Sequence, residues 1–536
     1  MSKQGSRVAP PPRSLTQRRA CAWLLGLVLV LGGCGTLPAR EPLPVSQALP
    51  PAEVAPTLLA RVAAASTSAE VQGLSGFRLL PTGDYAFDAR LALAEAAQRS
   101  IDAQYYHVHD DTAGVAFLHG LQEAARRGVR VRLLVDDFHA GEVFGLLLAL
   151  NAEPGVEVRL FNPLLWRSGS PLARLLMSLQ DFDRAHRRMH NKLFVVDNTV
   201  AIFGGRNIAD EYFRRHGLAN FVDLDVLAVG PVVPDLSATF DTYWNSELAW
   251  RADRVPGAGH RAGHDDGLFE RLSAELPSIS LASTDPLGQT SVREQLRSGA
   301  LQLHGCAAMV HADSPTKISD PAVLYQHAPA MRAKLEVIAQ ARDEVIIVNP
   351  YFVPDEQGMR MMAEAMGRNV RGTVLTNSLG STDEPLVHRA YSRYRRDMLR
   401  MGIQLYELKP VQPVRGGDFG DFGDSIGRLH VKGAAVDRRW LLVGSVNLDG
   451  RSAVLNTELA VNIDCPPLVA DALAALGREP WRTMYRVTLA EDGHTLQWRD
   501  EDAHGRVQIL IDEPGDAVWW RSWHRFQSLF VDEVML

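Results

Sequence analysis

Apolar and polar positions along this chain follow two rhythms, and the pair of rhythms recurs. Ser100–Tyr106 (SIDAQYY) reads as a strand, Ala113–Arg127 spaces its apolar residues as a helix does, and Val129–Asp137 (VRVRLLVDD) is a second strand ended by acids. The later chain repeats that order with Val345–Phe352 (VIIVNPYF) as strand, Glu356–Arg368 as helix and Arg371–Leu379 as strand. Strands alternating with helices predict an α/β sheet in each half. Residues 255–330 are less regular and are taken as the end of the first half plus a connection.

Length supports the division, since 536 residues exceed the roughly 250 to 300 over which a single core grows. With 46% apolar and 22% charged residues, the chain is neither disordered nor a polytopic membrane protein. A net charge of −7 gives no overall basic field to attract nucleic acid. The cysteines at 21, 34, 306 and 465 are too few and too scattered for a zinc site or a disulfide framework. Residues 1–20 carry Lys3, Arg7, Arg13, Arg18 and Arg19 with no acid. The apolar run that follows, Ala22–Leu31, is shorter than the roughly 20 residues of a membrane span, so 1–33 reads as a secretory signal. Its end, Leu31-Gly-Gly-Cys34, resembles a bacterial lipobox. That resemblance implies acylation of Cys34 and an anchored protein facing the periplasm, and Gly35 in place of Asp favours the outer membrane over the inner. An ordinary signal peptide is the alternative. Residues 34–72, rich in Pro, read as an extended tether, with the globular part beginning near Gly73.

The sharpest signal is a doubled motif. His190-Asn-Lys192 leads to Asp197, Gly204-Gly205 and Asn207, while His430-Val-Lys432 leads to Asp437, Gly444-Ser445 and Asn447. Offsets from histidine agree throughout. With six lysines and 17 histidines, a shuffled chain would hold about 0.2 His-x-Lys pairs, so two pairs sharing every further offset are not accidental.

A period of two places His190 with Lys192, and His430 with Lys432, on one face of a strand. Leu193–Val196 continues that strand, Asp197-Asn198 turns, and Thr199–Phe203 returns, so that Asn207 reaches the same rim. Each half thus offers an imidazole, an ammonium and an amide. Two sets together form a cage of two Lys and two Asn around a phosphoryl group, with a histidine on either side for in-line attack.

These residues resemble the phospholipase D superfamily with its paired His-x-Lys-x4-Asp motifs, and within it the bacterial cardiolipin synthases of the C type. The likeness includes Gln104-Tyr105-Tyr106, RRMHNKLFVVD, GGRNIADEYF, FVDLDVLAVGP and GSVNLDGRSAVLNTE. One departure is the Gly/Asp-rich 416–424 (GGDFGDFGD). The resemblance implies an α/β fold of two repeated phospholipase D-like domains, each a mixed β-sheet flanked by helices, joined around a pseudo-twofold axis in a monomer. We draw them at 73–326 and 327–536. It also implies a covalent phosphohistidine mechanism, with His190 as nucleophile and His430 as acid/base, the reverse assignment being the rival. Each histidine needs a carboxylate on its other nitrogen. Aligning Asp223-Leu-Asp-Val with Glu458-Leu-Ala-Val nominates Asp223 for His190 and Glu458 for His430, with Asp225 as a substitute. Asp197 and Asp437 are expected to brace the fold through ion pairs. No cofactor or metal is implied.

Other features have plainer readings. His107, His109, His139, His186, His216 and His388 lack a second copy and are read as structural, and Asp136-Asp137 as strand-end acids rather than a metal site. Tyr105, Tyr106 and Tyr351 occupy matching strand ends and are read as core, or as the lining of a lipid cleft. Arg389, Arg393, Arg396 and Arg400 fall on one face of a helix expected over Pro385–Met401, either a solvated face or a docking face for anionic head groups at a membrane surface. The leading reading is a transferase that forms cardiolipin from phosphatidylglycerol and a second phospholipid, phosphatidylethanolamine. Its rivals are a phospholipase D or nuclease, and a non-catalytic envelope lipoprotein.

Overall fold

The computed structural model describes residues 40–66, 73–164, 182–256, 258, 274, 281–318, 328–410, 425–477, 483–501 and 505–515. The leader 1–33, Cys34 and the Gly/Asp-rich 416–424 lie outside the described residues.

In the first half, β1 (Ser75–Leu80), β2 (Ser100–Tyr105), β3 (Arg130–Asp136), β4 (Val156–Phe161), β5 (Leu193–Val196), β6 (Val200–Gly204), β7 (Ala219–Val222), β8 (Asp225–Val229) and β9 (Ala249–Arg251) follow in chain order. Strands β2, β3 and β4 run parallel, as their intervening helices require. Antiparallel β5 adds to the free side of β2, then β6, β8 and β1, while β9 closes the edge of β4.

The second half repeats this plan with β10 (His304–Ala312), β11 (Glu344–Val348), β12 (Arg371–Asn377), β13 (Gln404–Leu408), β14 (Ile426–Leu429), β15 (Gly433–Val436), β16 (Trp440–Gly444), β17 (Leu459–Asp464) and β18 (Met484–Leu489). Here β11, β12 and β13 are the parallel trio, β15, β16 and β17 extend it, β10 takes the place of β1, and β18 that of β9. The near-continuous apolar runs LFVV and VAIFG of β5 and β6 suit strands covered on both faces, and every residue of both is buried.

The two sheets meet edge to edge. β1 pairs with its own counterpart β10, Gly76 opposite Gly305, so that β10 bonds to β1 through His304–Cys306 and to β17 through the six residues Ala307–Ala312. One apolar core crosses this seam, with Phe77, Phe203, Val461 and Ile463 among its members.

Two expectations change. Within the segment read as an extended tether, Pro51–Val54 and Leu58–Ser66 are helices with Leu59 and Val62 buried. The preceding backbone is held by the first half: Ala48 N–H donates to Asp241 at 2.8 Å, and Arg132 donates to the Ser46 carbonyl at 2.9 Å. Proline content signalled extension, but a few apolar side chains and buried arginines seeking carbonyls dock the segment. The second change is a disulfide joining Cys306 on β10 to Cys465 just beyond β17. Distance along the chain hid a pair that sits on neighbouring strands.

Candidate active site

Each motif histidine is fixed by the opposite half of the molecule. The backbone N–H of His190 donates to the carbonyl of Thr457 at 2.9 Å, and Thr457 N–H returns a bond to Arg188. Symmetrically, His430 N–H donates to the carbonyl of Val222 at 2.7 Å, at the end of the parallel pair β14 and β7. The residue after each acceptor is the acid. Glu458 therefore lies beside His190, with Nδ1 3.0 and 3.1 Å from its carboxylate oxygens, and Asp223 lies beside His430, with Nδ1 2.6 Å from Oδ2. This reverses the expected pairing of Asp223 with His190 and Glu458 with His430. Repeat alignment finds the acids but assumes that each serves its own half, whereas the edge strands exchange across the pseudo-twofold axis. Asp225 is no substitute, because Arg90 (2.8 Å) and Arg206 (3.4 Å) hold its carboxylate.

Both rings are buried, and with Nδ1 tied to a carboxylate each turns Nε2 away from its acid. Burial lowers the His190 pKa to about 4 against the raising influence of Glu458. His430 is also pushed well down, by burial first and then by Lys432, Lys192 and His190. The mutual influence of the two histidines and two lysines marks one shared site. Burial pushes Asp223 up, opposed by Lys432 and Arg206. Burial also acts to raise Glu458, but His190, Lys192 and the Ser445 hydroxyl together hold it below the ordinary value. Ser445 Oγ and Ser452 Oγ both donate to Glu458, the latter at 2.8 Å.

Lys192 and Lys432 each donate one N–H to the carbonyl of their own histidine, at 2.6 and 2.8 Å. Two further donors per ammonium remain to meet an anion. Burial lowers the Lys432 pKa to about 8, and burial together with Lys432 drives Lys192 well down. An anion between the two ammonium groups opposes that depression. Tyr106 and Tyr351 take symmetric places, their rings 5.4 and 5.7 Å from the lysine nitrogens. Tyr106 also meets the His190 ring edge-on, and Tyr351 the His430 ring. These two tyrosines line the site, whereas Tyr105 is core, bonded to Arg90. Asn207 donates to Tyr212 at 3.0 Å and accepts from the His107 backbone, while the Asn447 carboxamide oxygen is buried with no hydrogen-bond partner among the described residues.

At the small position after Gly204 and Gly444 the halves differ for a reason. A Cβ on Gly205 would lie 2.1 Å from Asp223 Oδ1, so only glycine leaves room for the short acid that reaches His430. Its counterpart Ser445 has space and uses it to bond Glu458. The motif acids Asp197 and Asp437 brace the fold through amides rather than the expected ion pairs. Asp197 accepts from the backbone of Gln98, Arg99 and Ser100, and Asp437 from that of Arg342, Asp343 and Glu344. Each thereby fixes the end of the His-x-Lys strand to the start of its neighbour, β2 or β11.

Asp136 is engaged by Arg188 and the Met189 N–H, consistent with a strand-end acid. His107 stacks near His139 and lies in the field of Lys192; burial, then those neighbours, lower its pKa to about 3. The helix expected over Pro385–Met401 is two, Pro385–Ser392 and Arg395–Arg400. Arg395, off the expected stripe, is buried against Glu407 and Glu513, while Arg396 and Arg400 bond the turn at residues 493–494. Among the buried cations that escaped the sequence reading, Lys334 adjoins the site. Lys334 donates to the carbonyls of Lys432 and Val446 at 3.2 and 3.1 Å. Its counterpart Arg90 faces Asp225, but the matching position on β17 is Ala460.

Two copies of one mixed sheet, joined by their edges and each contributing a histidine, a lysine and an asparagine to a shared site, define the phospholipase D superfamily. Residues 91–244 and 335–478 match the family described as "Cardiolipin synthase, PLD-like domain", and the chain belongs to it. It is 33% identical over 468 residues to Cardiolipin synthase C of Escherichia coli (strain K12), covering 84% of this chain and 94% of that protein. Cardiolipin synthase A of Pseudomonas fluorescens is 27% identical over 383 residues, covering 71% of this chain and 64% of that one. The crystal structure of phosphatidylserine synthase from Haemophilus influenzae Rd KW20 shares the fold, with a TM-score of 0.53 at 12% identity over 87% of this chain and 98% of its own.

Proposed function

We propose that the protein is a metal-independent phosphatidyltransferase that forms cardiolipin from phosphatidylglycerol and a second phospholipid, phosphatidylethanolamine. The observation that carries this reading is the pair of buried histidine–carboxylate dyads facing two lysines. His190, neutral and oriented by Glu458, attacks phosphorus through Nε2 and forms the phosphohistidine. His430 gives a proton to the departing head-group alcohol, then takes one from the hydroxyl of phosphatidylglycerol as that oxygen displaces His190. Lys192, Lys432 and Asn447 balance the charge on the phosphoryl oxygens. An anionic diester between the lysines relieves the field that depresses His430, so the proton the leaving group needs is favoured once substrate is bound.

The buried Cys306–Cys465 bond is of the kind formed in oxidising compartments, which supports an extracytoplasmic location beside the leader and the lipobox at Cys34. Among the described residues, no helix is long and apolar enough to cross a membrane. Attachment to the outer membrane through an acylated Cys34 belongs to the same proposal. The test is incubation of purified protein with labelled phosphatidylglycerol, with and without phosphatidylethanolamine, followed by separation of cardiolipin from phosphatidic acid. Cardiolipin made with phosphatidylethanolamine present, and undiminished by a chelator, is expected. Phosphatidic acid alone makes it a hydrolase, and no product from any phosphodiester leaves the non-catalytic reading.

A further inference from the structure

Among the described residues, the two repeats differ in the burial of one helix. Thr112–Arg126, which follows β2, buries Val115, Phe117, Leu118 and Leu121 against its sheet, and nine of its residues in all are buried. Its counterpart Asp355–Gly367 follows β11 in the same way and has no buried residue. Where the first helix uses Phe and Leu, the second presents Met359, Met361, Met362 and Met366. Between this helix, the helix Pro329–Ala339 and the strands β11 and β12 lies an apolar cavity, part of it open to solvent. Met331, Leu335, Ile347, Met362 and Met366 line it. At one end it reaches Leu448 and Asp449, the two residues directly after Asn447. Phe352 pairs with Leu448 there, and burial raises the Asp449 carboxyl to about 7, marking a low-dielectric approach to the catalytic loop.

In the first repeat the corresponding helix packs its apolar residues inward, and the groove between it and Gly83–Ala96 is lined by charged side chains, Asp88, Glu95, Glu123 and Arg127 among them. A methionine lining adapts to an apolar guest of variable shape. A peptide placed here would bury N–H and C=O groups with few partners, whereas a hydrocarbon chain carries no such groups. We propose that the cavity receives an acyl chain of the phospholipid whose phosphate sits between Lys192 and Lys432. This rests on the phosphatidyltransferase reading for its substrate. The second half thus grips lipid tail as well as head group.

The test fills the cavity with Ala365→Phe and, as a milder change, Ala365→Leu, with folding checked by thermal melting. Transfer to one fixed phosphatidylglycerol acceptor is measured from dihexanoyl- and dipalmitoyl-phosphatidylethanolamine as donors in the same mixed micelles. The variants are expected to raise KM for the dipalmitoyl lipid at least tenfold more than for the dihexanoyl lipid. A second arm titrates cis-parinaric acid into wild type and the inactive His190→Asn protein. Fluorescence is expected to rise, to be displaced by dipalmitoyl lipid but not by the dihexanoyl one, and to be lost in Ala365→Phe. Equal KM changes for both chain lengths, or fatty-acid binding that survives filling, overturns the proposal. Displacement by free fatty acid but not by phospholipid also overturns it, by assigning the cavity to another apolar ligand. Absence of turnover with every lipid sinks the transferase reading alone, because the binding arm still reports on the cavity.

Discussion

The Nδ1 atom of His430 lies 2.6 Å from Oδ2 of Asp223, an acid 207 residues earlier in the other repeat. The mirror relationship, His190 to Glu458, spans 268 residues. Each dyad therefore exists only when both repeats are folded together. Replacing either acid by its amide leaves the shape and removes the charge that fixes the tautomer, so Glu458→Gln and Asp223→Asn should each lower kcat by roughly 10²- to 10⁴-fold. Histidine NMR of the two variants should show the His190 ring perturbed in the first and the His430 ring in the second. The opposite assignment would restore pairing within each half.

Gly205→Ala should be more damaging than its small volume implies, because the new methyl meets the Asp223 carboxylate. A loss of at least about 100-fold in kcat is expected, or about 3 kcal/mol of transition-state stabilisation. Ser445→Ala removes the hydroxyl that donates to Glu458 and accepts from the Leu459 N–H, and should cost about tenfold, the order of one hydrogen bond to a charged group. Steady-state kinetics of the pair decides this.

Acid should destabilise the fold through His190. Its folded pKa of about 4 is below the ordinary 6.5, so the unfolded chain binds the proton more readily between those values. Stability contributed by this group is present above pH 6.5 and lost as pH falls to about 4, by about 3 kcal/mol for a shift of this size. Urea midpoints should fall across that window in the wild type and fall less in His190→Asn. Identical slopes would show that the ring is not buried neutral.

Lys334 has the same sign at higher pH. Burial, then Lys432, depress it to about 7 from 10.5, so the wild type should gain stability as pH rises from about 7 towards 10. Lys334→Met should flatten that rise. Ala460→Asp, which supplies the acid that Arg90 has in the first repeat, should raise stability near pH 7 by about 1 kcal/mol or more. Denaturant titrations at several pH values test both variants.

The Cys306–Cys465 bond closes 159 residues of chain. A chain-entropy treatment gives up to about 5 kcal/mol for loops of this size, and native contacts reduce the realised value. Cys306→Ser with Cys465→Ser should lower the melting temperature by several degrees while leaving kcat within twofold. Calorimetry with and without reductant provides the same comparison.

The doubled motif is legible in sequence because catalysis demands fixed residue types at fixed offsets, and strand alternation carries His190 and Lys192 to one face. Sheet membership is legible too, since helical and alternating apolar spacings recur in the same order. What escapes is set by partners distant in the chain. Which acid serves which histidine depends on the strands that exchange at the seam, and the disulfide depends on β10 lying beside β17. Lys334 escapes because its meaning lies in a missing neighbour, Ala460. The break near Arg393 escapes because Arg395 turns inward to Glu407, a contact that helical periodicity cannot encode.

Because β10 bonds to β1 with its first three residues and to β17 with the next six, a ladder of backbone hydrogen bonds carries over from one repeat to the other along a single strand. A clamshell motion would have to tear that ladder and both strand exchanges at the histidines. Lipids consequently come and go past the rim while the reacting groups keep a constant separation.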